Sequence, residues 1–140
     1  MTPKFTESVG NLSDEELNEA SEGVSFARES NPTLETYFGC IDASLQNEIS
    51  RRTGGLPIET VNPVNWSALT DDSILVIAKA LLIWMKSLRK ASRIDSALAT
   101  FVYECGHTIR NQVRKRELQD RYNALALTIG EPRMPKSDWI

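Results

Sequence analysis

The chain has little of what catalytic chemistry is usually built from. Its 140 residues include one histidine, His107, and two cysteines, Cys40 and Cys105. A single histidine excludes a multi-histidine metal site, and any Ser-His-Asp arrangement would have to be assembled around that one residue. Neither a GxSxG elbow nor an HExxH helix occurs. Cys105 and His107 are two positions apart, which on a helix turns them about 200° from each other and prevents a local nucleophile–base pair. The cysteines lack CxxC pairing and sit among apolar helical neighbours, so they are expected to be small buried hydrophobes. No cofactor and no metal are expected.

Long hydrophobic runs are also missing. The densest, Ile74 to Met85, is broken by Lys79 and falls far short of the ~20 apolar residues that span a bilayer. No apolar signal core follows Met1-Thr2-Pro3-Lys4, so a cytoplasmic location is expected. The acceptor patterns at Asn11-Leu12-Ser13 and Asn65-Trp66-Ser67 then carry no chemistry. Gly54-Gly55, the one glycine pair, follows a helical stretch and lacks the spacing of a phosphate loop. There is no repeat, and the one strand-like stretch, Val61 to Leu69, is interrupted by Pro63.

What the sequence does have is helical period, at a hydrophobic content of 41% and a charged content of 25% that suit a globular domain. Ser13-Asp14-Glu15-Glu16 is a capping box with three carboxylates near the positive helix end. It opens a first helix over 14–29 with a thin apolar face of Leu17, Ala20, Val24 and Ala27. Asn31-Pro32 starts a second helix over 32–53, on which Leu34, Tyr37, Phe38, Ile41, Leu45 and Ile49 form a continuous stripe. The two are predicted to form a hairpin. Residues 54–69 form an irregular connection too apolar for a solvated linker, with Trp66 as its anchor.

Thr70-Asp71-Asp72-Ser73 caps a third helix over 71–90, whose apolar face is broad enough for the centre of a bundle or for a subunit interface. From about Ser92 the period resumes through Ile94, Leu98, Phe101, Cys105 and Ile109. After Val113 it steps by five to Leu118, then continues through Tyr122, Leu125 and Ile129. This predicts a long C-terminal helix over 93–129 whose apolar face turns part-way along. Gly106 within it is expected to let another helix approach closely. The expectation is therefore an all-α bundle of four main helices. A flexible N-terminal tail (1–12) precedes a single domain (13–130), and a C-terminal tail (131–140) follows.

Charge is unevenly spread. Residues 1–60 carry 11 acids and 4 bases, a balance of −7, whereas residues 61–140 carry 8 acids and 12 bases, a balance of +4. The basic stretch from Arg110 to Arg116 is the one segment with functional pull. Arg110, Arg114 and Arg121 are predicted to share a face, flanked by Lys115 and Arg116. Such a cluster suits phosphate backbones, acidic proteins, pairing with the acidic N-terminal helices of the same chain, or simply a solvated helix face. The apolar surplus of the third helix and of Trp139 in the tail suggests a second subunit or a partner protein; a self-contained bundle that wraps its last helix is the other reading. The function expected from the residues is a non-catalytic protein-protein interaction or assembly role, not an enzyme. Candidate contacts are Arg110, Arg114, Lys115, Arg116, Arg121 and Trp139. The alternative is a nucleic-acid-binding regulator using the same basic face. No membrane partner is expected.

Overall fold

A computed structural model describes residues 9–30, 34–55 and 64–132. Among them are five α-helices and one 3-10 turn, and no strand: α1 Asp14–Ser30, α2 Glu35–Arg52, the turn Trp66–Ala68, α3 Asp71–Lys90, α4 Ala97–Lys115 and α5 Gln119–Ile129. No described helix is long and apolar enough to cross a membrane. The chain divides into two compact units, Met1–Leu69 and Thr70–Ile140. Because residues 61–69 carry no charged side chain, the charge balances of −7 and +4 belong to these two units.

In the first unit, α1 and α2 form the predicted hairpin. The capping box is made: the Ser13 amide donates to Glu16 Oε1 and the Glu16 amide donates to Ser13 Oγ, both at 3.1 Å. Val9 and Leu12, just ahead of it, are buried with Leu17, Ala20 and Val24. Arg28 near the end of α1 clamps the start of α2. Its Nε and Nη2 donate to the two Glu35 oxygens at 2.6 Å, and Nη1 donates to Asp42 at 2.5 Å. Arg52 closes the other end on Asp14 and Glu48. Gly54, at φ +84°, and Gly55 end α2 by accepting the left-handed turn that follows Thr53. Trp66 lies 5.9 Å from Tyr37, as an anchor should. Asn31 and Pro32, expected to cap α2, lie outside the described residues.

In the second unit, α3 covers the predicted span, with the Thr70 hydroxyl accepting from the Ser73 amide. The predicted long helix over 93–129 is two helices. At the end of α3, Ser92 is left-handed (φ 57°) and the Arg93 amide reaches back to the Leu88 carbonyl at 2.8 Å; α4 then starts only at Ala97, capped by Ser96. At the end of α4, Glu117 is left-handed (φ 58°), its amide donates to Arg114, and the Leu118 amide donates to Val113 at 2.9 Å. This is a Schellman turn, a motif commonly accompanied by an apolar contact between the first and sixth residues; here these are Val113 and Leu118, both buried. The five-residue step in the apolar pattern is that turn and not a rotation along one helix.

Helices α3, α4 and α5 pack around Ile74, Ile77, Phe101, Val102, Ile109 and Val113. After the left-handed Gly130, the Glu131 carboxylate, 3% exposed, receives Arg89 Nε at 3.0 Å and Nη2 at 3.3 Å, which ties the end of α5 to the end of α3.

Candidate functional site

The basic residues singled out from the sequence do not form one face. Arg121 is on α5, beyond the Schellman turn, and cannot continue the Arg110–Arg114 row of α4. Arg110 is 6% exposed, with its guanidinium 4.4 Å from the centre of the Tyr103 ring. Gly106, one turn before it, provides the room. A Cβ at Gly106 would stand 2.8 Å from Arg110 Nη1, so the glycine admits this side chain and not a neighbouring helix. A cavity of about 30 Å³ beside them, lined by Leu81, Leu82, Tyr103, Gly106, Arg110 and Tyr122, has room for no more than one or two waters.

Arg116 and Arg121 turn instead to the first turn of α3. Arg116 Nη1 donates to Asp71 at 3.2 Å and Arg121 Nη2 donates to Asp72 at 2.7 Å. These two aspartates, in the first turn of α3, thereby hold the corner between α4 and α5. Arg114 is half-buried and Lys115 exposed. Trp139 lies outside the described residues.

What sequence periodicity did not find is a groove between α3 and α5, of about 520 Å³, lined by Asp72, Leu75, Val76, Lys79, Arg121, Ala124, Leu125 and Thr128. Its floor is apolar because the α3 stripe is wider than one neighbouring helix can cover. Leu75 is buried under it, and Val76 on its wall is 37% exposed. The Arg121–Asp72 pair stands at one end and Lys79, on the exposed side of α3, at the other. Further apolar side chains reach solvent on the same unit: Ile83 on α3 is 50% exposed and Leu127 on α5 is 69% exposed. The signal available in the sequence was the broad apolar face of α3.

Cys105 is buried and burial pushes its thiol far above the ordinary range, while Cys40 is raised by burial and then by the Glu35 charge. Among the described residues no three His, Cys, Asp or Glu side chains gather as metal ligands would. No known protein family, curated protein or solved structure matches this chain.

Proposed function

We propose that the chain is a non-catalytic helical interaction protein whose principal contact surface is the α3–α5 groove. The observation that carries this reading is apolar surface left open between two helices: Val76 and Leu125 line the groove over the buried Leu75, with the exposed Ile83 and Leu127 on the same unit. Apolar area of this kind is worth roughly 25 cal/mol per Å² when a partner covers it. A helix laid into such a groove uses anchors at i, i+3, i+4 and i+7.

A protein partner is favoured over a polyanion because the arginines that would meet phosphates are otherwise engaged. Arg110 is stacked in the interior, and Arg116 and Arg121 each face an aspartate. The test is affinity capture with Val76→Asp, an exposed position where the fold should tolerate the change, and Ile83→Asp as a companion outside the groove. Partner proteins should be lost with Val76→Asp and largely kept with Ile83→Asp, with helicity unchanged in both. Equal recovery by the native chain and Val76→Asp would contradict the assignment.

A further inference from the structure

Resting on that interaction reading, we infer that the α3–α5 groove is covered, until a partner displaces it, by residues 133–140 of the same chain. These follow directly on Pro132, where the described part of the second unit ends, and the geometry there brings the chain against α3. Gly130 is left-handed, the Glu131 amide reaches back to the Ala126 carbonyl at 2.9 Å, and the Glu131 carboxylate is held by Arg89. Gly130 itself lies beside Lys86 of α3, whose Nζ is 3.6 Å from where a Cβ would stand. Pro132 and Pro135 both oppose continuation of α5 as a helix.

The reach matches the groove. From Lys86 back to Lys79, at its near end, is seven residues of α3, and Asp72, at its far end, is seven further. Those points lie about 10 Å and about 21 Å along the helix. Residues 133–140, extended, cover up to about 26 Å. They can therefore run antiparallel to α3, over the exposed Ile83, and lay their last side chains against Val76 and Leu125. Their content suits what lies there. Asp72 already neutralises Arg121, so an occupant gains chiefly apolar contact, and Met134, Trp139 and Ile140 supply it. Trp139 brings the largest share, since an aromatic side chain buries about 150–250 Å². A segment tethered this closely also competes at an effective concentration on the order of millimolar, which a free partner has to overcome through affinity. Residues 133–140 thereby act as a self-inhibitory cover.

Photo-cross-linking within the purified full chain tests this. Benzoylphenylalanine at Ala124, in the groove, should join to residues 133–140 of the same molecule, read as a monomeric product whose linked peptides are identified by mass spectrometry. Trp139→Asp and Val76→Asp should each lower that product about fivefold, whereas raised salt should not, because the contact is apolar. In affinity capture, Trp139→Asp should recover more of the Val76-dependent partner proteins than the native chain does. No link to residues 133–140, a link found only in covalent dimers, or a recovery that falls with Trp139→Asp would overturn the inference. If the link is absent while Val76 still governs capture, the interaction reading survives and the choice of occupant fails. If the link forms and neither chain captures a partner, the cover stands and the interaction reading falls.

Discussion

Gly106 and Arg110 are one helical turn apart on α4, and the missing Cβ of the glycine is the space that the arginine guanidinium fills as it stacks on Tyr103. An alanine in a helix interior is ordinarily better than glycine by about 1 kcal/mol. Here that gain is offset by displacing a desolvated stack of similar worth. Gly106→Ala is expected to yield no net stabilisation in the native background, and about 1 kcal/mol in an Arg110→Ala background. Urea denaturation of the four chains measures the coupling; additive effects would show that the two residues are independent.

The left-handed Glu117 gives a prediction whose sign separates two helices from one. In the Schellman turn a non-glycine residue at this position costs about 1–2 kcal/mol, part of which glycine recovers. Glu117→Gly should stabilise the chain by about 0.5 kcal/mol or more. In an unbroken helix over 93–129 the same change would cost about 1 kcal/mol. Thermal and urea unfolding of this variant therefore decide the point.

The contrast between these turns and the helices they join shows what was legible in the residues. The helix of residues 71–90 is bounded in sequence by a threonine cap and two first-turn acids, and the capping box at Ser13 forms the hydrogen bonds its spacing implies. The stop after residue 90 was legible, though the next helix starts at Ala97 and not at 93; the turn at Glu117 was not, because it lacks the glycine that normally marks a left-handed stop. Only the step from Val113 to Leu118 recorded it. The basic cluster was misplaced for the same reason: a face computed along one helix does not survive a turn at residue 117. Burial of Arg110 depended on Gly106 and Tyr103 jointly, three positions whose relation is three-dimensional. The groove, in turn, depended on α5 being a separate helix that packs back on α3.

Glu48 near the end of α2 provides a pH test. The hydrogen bond from Arg51 holds its carboxyl below the ordinary value of 4.5, outweighing burial, and Arg52 adds to it. A carboxyl whose folded value lies below its unfolded one contributes stability that is complete above the unfolded value and lost as pH falls through the folded one. Glu48→Gln should cost about 0.5 kcal/mol at pH 6 to 7, as surface pairs do, and the difference from the native chain should close below pH 4.5. A gap that widened in acid would refute the assignment.

Asp71 and Asp72 should restrain binding to polyanions. With both changed to asparagine, Arg116 and Arg121 lose their counter-charges. Duplex DNA or RNA should then bind more tightly than to the native chain and with a steeper dependence on salt. The account fails if the native chain binds nucleic acid below about micromolar at physiological salt and loses it on Arg114→Ala with Arg116→Ala.

The most direct test of the α3–α5 groove as a contact surface is photo-cross-linking from inside it. Benzoylphenylalanine placed at Ala124 or Thr128, on the α5 side, should give protein adducts in cells that make the chain. The same group at Thr100, exposed on α4 outside the groove, should give few. Adducts at 124 and 128 that disappear with Val76→Asp are the predicted result; no adducts there, or equal adducts at all three positions, would contradict it.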